Sequence, residues 1–225
     1  NNQPHIGQWN LVRFAETLLP LFMDKKQDAS EKQAHETELD DEKQKKAAVG
    51  IAQDLLNTYE AQYQAYWLSG FRQKLGLDVP QESDVTLIED LLNCMESNQA
   101  DFTLTFYYLS QLGKQASKAD GALQQLFSTP DSVKIWLKKW RSRLDKEFLN
   151  DTERQKLMKA VNPVYIPRNH QIERAIRAAE DNNDFSVFHA LHEVLQNPFE
   201  HQADKESYML PPLEEEIVHQ TFCGT

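Results

Sequence analysis

The chain has 225 residues, a net charge of -11 and two cysteines, with an isoelectric point near 5.1. That balance excludes a nucleic-acid module carried by overall charge, which needs a basic footprint. It also excludes a disulfide scaffold, so a reducing compartment is the default. No apolar run approaches the roughly 20 residues of a membrane span, and Asn1-Asn2-Gln3-Pro4-His5 has neither the basic nor the apolar region of a signal peptide. Only 7 glycines are present. With many Leu, Ala, Gln, Glu and Lys, this points to an all-α protein without a glycine-rich phosphate loop.

In chain order, Trp9 to Leu21 reads as a helix that Pro20 disturbs near its end. Residues 24–46 are polar and of mixed charge, either a solvated insertion or the exposed start of the next helix. From Ala47 to Leu75 the apolar positions step by three and four, predicting one long amphipathic helix with Gly76 as its C′ residue. The aromatic set Tyr59, Tyr63, Tyr66, Trp67 and Phe71 reads as the core face of that helix, ahead of a ligand groove. Ser83 or Asp84 caps a helix with Leu87, Ile88, Leu91, Leu92 and Met95, and Asp101 caps one with Phe102, Phe106 and Leu109.

Thr129-Pro130 opens a helix whose one face carries Val133, Trp136, Leu137, Trp140, Leu144 and Phe148. Its Lys134, Lys138, Lys139, Arg141, Arg143 and Lys146 read as a solvated rim, ahead of a surface for phosphate, acidic partners or membrane. Thr152 to Gln155 fits a capping box. Asn169 caps a helix with Ile172, Ala175, Ile176 and Ala179, and the turn Asp181 to Asp184 leads to a short helix with Phe185, Phe188, Leu191 and Leu195. Pro198 and Pro211-Pro212 bracket an irregular tail over 198–225. The whole reads as a single helical domain, 1–225.

No complete catalytic motif appears. His189, His192 and Glu193 share a helix, but i and i+3 histidines without a distant third ligand favour a solvated or hydrogen-bonded pair over a metal site. Cys94 lies in an apolar run where a small hydrophobe serves as well. Cys223, two residues from the last, is open to two readings: a redox latch on a mobile end, or an inert tail thiol.

Five blocks, in order, resemble the C-terminal half of the selenoprotein O family, including its bacterial members. They are Asn2-Gln3-Pro4 with Trp9-Asn10-Leu11; Lys74-Leu75-Gly76-Leu77 with Asp84 and Leu87-Ile88; Asp101 to Phe106; Asn162-Pro163 with Tyr165 to His170; and Pro198-Phe199, Tyr208, Pro211-Pro212 and Thr221-Phe222-Cys223.

The resemblance implies a kinase-like, pseudokinase-type fold, of which this chain is the helical C-terminal lobe portion. It implies a protein adenylyltransferase, a nucleotidyltransferase that moves AMP from ATP to Ser, Thr or Tyr hydroxyls with Mg²⁺ or Mn²⁺. The nucleotide and metal ligands then lie upstream, so no catalytic, cofactor or metal residue is assigned here, and 1–225 alone is expected to be inactive and to bind no cofactor. The resemblance makes Cys223 a redox-active thiol whose partner sulfur lies upstream, reduced and unpaired in this chain. The expected partners are protein substrates and the missing N-terminal lobe, or a second copy through an exposed apolar face; nucleic acid and membrane are not expected. The expected location is the bacterial cytoplasm. The alternative is a non-catalytic helical interaction module, and a weaker one is a metal-binding helical protein using His189 and His192.

Overall fold

The computed structural model describes residues 3–22 and 34–220. Among these, the chain is all-α, with ten α-helices, two 3₁₀ turns and no strand. Two compact units are present, residues 1–69 and 70–225.

In the first unit, α1 (Gln3–Phe22) pairs with α2 (Ala34–Asn57). Pro4 sits in the first turn of α1, where a missing N–H costs nothing, and Pro20 sits in its last. The helix therefore begins six residues before Trp9. Among its half-buried positions, Gln8, Val12, Ala15, Leu19 and Phe22 step by four and three along one seam. Among the described side chains of α2, Ala48 and Ala52 are the buried ones, and small side chains there allow close helix approach. Of residues 24–46, which the composition left as insertion or helix start, 34–46 are the N-terminal half of α2 and 24–33 lie outside the described residues.

The run from 47 to 75 is not continuous. Thr58 is a turn residue between α2 and α3 (Tyr59–Leu75). Its hydroxyl donates to the Leu55 carbonyl at 2.7 Å, and its own carbonyl accepts from Gln62 N–H at 3.1 Å. Competition of this kind from a Thr side chain explains the break at an otherwise periodic sequence. Nor is the aromatic set a core face: Tyr66 is 77 % exposed, and Tyr59, Tyr63, Trp67 and Phe71 are half-buried.

The second unit holds the core. Its helices are α4 (Asp84–Asn98), α5 (Phe102–Leu109), α6 (Asp120–Gln124), α7 (Pro130–Leu144), α8 (Asp151–Val161), α9 (Asn169–Asn182) and α10 (Ser186–Leu195). The α4 stripe Leu87, Ile88, Leu91 and Met95 packs with α7 and its Val133, Trp136, Leu137 and Trp140, all buried. The two indoles stack with centroids 6.1 Å apart. Each donates its N–H to a carbonyl, Trp136 to Leu87 at 2.8 Å and Trp140 to Leu75 at 2.9 Å. Burial of the rings thereby leaves no polar atom unpaired. Phe148 lies past the end of α7 and is 93 % exposed, so it does not continue the stripe.

Gly76 ends α3 with φ +69°, as a C′ residue should. A Cβ there would stand 2.5 Å from Arg154 Cγ and 2.8 Å from Met158 Sδ. Gly76→Ala is therefore expected to cost roughly 1–3 kcal/mol, from the left-handed backbone and from displacing the buried Arg154. Urea unfolding would read this as a lower midpoint at unchanged m-value.

Capping at α8 differs from expectation. The box is formed by Asn150 and Glu153, with Asn150 Oδ1 accepting from Glu153 N–H at 3.0 Å, two residues before Thr152. Likewise Arg168, not Asn169, is the N-cap of α9. Asp101 caps α5 as read, its Oδ1 accepting from Leu104 N–H at 2.8 Å.

Candidate functional site

Arg143 was read as part of a solvated rim, yet its side chain is only 5 % exposed. It lies three residues after Trp140 and seven after Trp136, which turns it inward. Its Nε donates to Asp84 Oδ1 at 2.6 Å, its Nη1 to Glu147 Oε1 at 2.6 Å, and its Nη2 to the Val79 carbonyl. Arg72 Nε donates to the other Asp84 oxygen at 2.7 Å. The carboxylates also accept from backbone: Asp84 from Gln81 N–H at 2.9 Å, Glu147 from Asp78 and Val79 N–H at 2.9 and 3.0 Å. This network holds residues 78–84, the loop between α3 and α4, against the end of α7. Burial pushes the Asp84 carboxyl up, but Arg143, the Gln81 amide and Arg72 outweigh it and hold the group below the usual carboxylate range.

The other cations of α7 are mostly spent on acidic partners. Lys134 pairs with Asp131, Lys139 with Asp90, and Arg141 binds Asp120 through both Nη atoms at 2.8 Å. A bidentate fork of this kind leaves little for a phosphate.

A second cluster joins the Asn162–His170 block to the tail. Val164 and Tyr165 N–H both donate to the Pro198 carbonyl, at 2.8 and 3.1 Å. The Tyr165 hydroxyl accepts from Gln202 N–H at 3.0 Å and donates to the Gln202 carbonyl at 3.2 Å. Gln202 Nε2 donates in turn to Val194 at 2.9 Å. Arg168 grips Asp101 with both Nη atoms, at 2.7 and 3.1 Å, and donates to the Met209 carbonyl at 2.7 Å. Beneath lie the buried residues Leu104, Val164, Tyr165, Val194 and Met209. The tail up to Met209 is therefore anchored despite its lack of regular helix, with 3₁₀ turns at Glu206–Tyr208 and Glu214–Glu216.

His170 is buried beside this clamp, its Nε2 3.1 Å from Gln171 Nε2 and its Nδ1 without a hydrogen-bond partner. Burial lowers its pKa, against Glu216, which raises it.

The histidines singled out in α10 do not gather ligands. His192 Nε2 faces Gln196 Nε2 at 3.0 Å, and its ring stacks on Phe188. Among the described residues, no three His, Cys, Asp or Glu side chains are placed to hold a metal ion. Cys94 is a half-buried free thiol, its Sγ donating to Ser132 Oγ at 3.3 Å. Cys223 lies outside the described residues. Among the described residues, no helix is long and apolar enough to cross a membrane. Periodicity missed Arg143, Arg168 and Tyr165; only the block order around 162–170 and 198–208 hinted that these segments act together.

The model of a family described as protein adenylyltransferase SelO matches residues 1–196. The chain is 43 % identical over 224 residues to a protein nucleotidyltransferase YdiU of Rhizobium meliloti (strain 1021), covering 100 % of this chain and 42 % of that protein. It is 40 % identical over 226 residues to a protein of the same name from Agrobacterium fabrum (strain C58), with 100 % and 42 % covered. A third, from Bradyrhizobium diazoefficiens (strain USDA 110), is 39 % identical over 224 residues, with 100 % and 41 % covered. The chain thus spans about two-fifths of the length of these curated relatives. With a family model matching residues 1–196 and relatives about 40 % identical along the whole chain, the chain belongs to the protein adenylyltransferase SelO family.

Proposed function

We propose that this chain is the C-terminal region of a protein adenylyltransferase that transfers AMP from ATP to Ser, Thr or Tyr hydroxyls of proteins. The observation that carries the reading is identity of 43 % across all of this chain to a nucleotidyltransferase of which it covers 42 %. In this chemistry the hydroxyl attacks the α-phosphorus in line, loses its proton, and pyrophosphate leaves; Mg²⁺ or Mn²⁺ neutralises the phosphate charge.

The residues described here do not fit that cofactor pair. Asp84, Glu147, Asp120 and Asp101 face arginines of the same unit, and no metal-ligand triplet forms among the described residues. No step is therefore assigned to them. Their part in the parent enzyme is to hold the helical unit and lead the chain toward Cys223, which we assign as its redox-active thiol, paired in the parent with a sulfur outside this chain. In the cytoplasm such a pair would be regulatory.

Purified 1–225 with labelled ATP and Mg²⁺ or Mn²⁺ is expected to label no protein, whereas the longer parent protein labels itself or added substrates. Labelling by 1–225 alone would overturn the placement of the ligands upstream. A parent protein that labels nothing would favour the non-catalytic interaction module.

A further inference from the structure

Helices α9 and α10 pack against each other across a short turn at Asn183, φ 53°. Each turns a stripe of the same spacing toward a shared groove of about 490 Å³: Ile172, Ala175, Ile176 and Ala179 on one wall, Phe188, Leu191, His192 and Leu195 on the other. The spacing i, i+3, i+4, i+7 is that of a helix built to be covered. Yet Ile176 is 42 % and Phe188 50 % exposed.

The lining is apolar but for His192, whose Nε2 lies 3.0 Å from Gln196 Nε2. A site for a transient partner carries polar groups that set register and reject wrong partners, whereas permanent interfaces resemble a domain core cut open. This groove is of the second kind. Ala175 and Ala179 leave one wall low, so that an apolar helix or strand of the occupant can approach the backbone closely. No charged residue of α9 lines it, and Arg177 bridges Glu173 at 2.8 Å and Glu180 at 3.2 Å on the same helix. The relatives that match this chain end to end hold more than half their length outside it. That length is the one permanent neighbour the comparison supplies.

We infer that the α9–α10 groove is the seat of an apolar segment from the part of the parent protein outside this chain. The inference rests on the reading of 1–225 as one region of a longer enzyme. Hydrogen–deuterium exchange of residues 169–195 would be compared in 1–225 and in the full-length parent protein. The expected result is exchange slowed about tenfold or more in the parent, with Ile176→Glu/Phe188→Glu abolishing that slowing while leaving the circular dichroism of 1–225 unchanged.

Equal exchange in both proteins overturns the inference. So does protection that appears in 1–225 only as its concentration rises, which marks a second copy as the occupant. Protection of the parent only after a substrate protein is added overturns it as well. AMP incorporation on the same parent sample separates the two ideas: activity without protection sinks the groove, and protection without activity sinks the adenylyl-transfer reading.

Discussion

Replacing Arg143 with Met is expected to lower the melting temperature of the second unit by roughly 6–20 °C, from 3–5 kcal/mol at 2–4 °C per kcal/mol. The change removes the cation shared by Asp84 and Glu147, both 0 % exposed, and leaves two carboxylates that water cannot reach. The Glu147 carboxylate then accepts only from the amides of Asp78 and Val79. Buried ion groups can often be replaced together by apolar residues without loss. Here that route is closed. Removing all three charges would orphan the amides of Gln81, Asp78 and Val79, so the triple apolar variant is expected to remain destabilised. Calorimetry of the two variants checks both statements, and a loss below about 1 kcal/mol for Arg143→Met would refute the first.

The same network has a pH signature. The folded-state pKa of Asp84 lies below its ordinary value. Its contribution is therefore complete above the unfolded value, about 4, and is lost as the pH falls through the folded one. The stability gap between the wild-type chain and Asp84→Asn is expected to be constant from pH 7 to 5 and to narrow below about pH 4. A gap that widens on acidification would contradict this sign.

Arg168→Ala is expected to release the tail without unfolding the α4–α7 core. Arg168 supplies both arms of the Asp101 bridge and the bond to Met209. Its loss strips a largely buried carboxylate of its cation and one carbonyl of its donor, at roughly 2–4 kcal/mol. The tail is held by few other contacts, so the cost falls on local opening rather than on global unfolding. Limited proteolysis within residues 203–220 is expected to speed up about 10–100-fold, with tryptophan fluorescence from Trp136 and Trp140 unchanged. Arg168→Lys keeps the charge but not the fork, and is expected to recover only part of the protection. Equal proteolysis of wild type and Arg168→Ala would show that Tyr165 and Gln202 suffice to hold the tail.

These two expectations fall on residues that periodicity read poorly. The helix signals were legible where the cue is local: Asp101 as a cap, Thr129-Pro130 as a start, Gly76 as a stop, and the stripes of α4 and α7 as core. Each depends on one turn of backbone and its own side chains. Legibility failed where distant residues decide. The α8 box opens at Asn150 instead of Thr152, and Asp151 beside it accepts from the Lys114 amide 37 positions away. The break at Thr58 within 47–75 is local, its hydroxyl taking the Leu55 carbonyl three residues back, and apolar spacing does not register it. Arg143 looked like one more cation in a basic run, because charge pattern alone does not tell which cation meets buried carboxylates.

The sequence by itself determined the helical class, through glycine scarcity and three-to-four spacing, and the family, through blocks whose order is a one-dimensional property. Only the tertiary structure decided which charges are buried, since burial depends on residues 59 positions apart meeting as Arg143 and Asp84 do. It likewise decided that the irregular tail is anchored up to Met209, by pairing Tyr165 and Arg168 with backbone groups 37 and 41 positions away. Chain entropy opposes such distant contacts, so no local pattern announces them; they form because a buried polar group must find its partner wherever the fold supplies one.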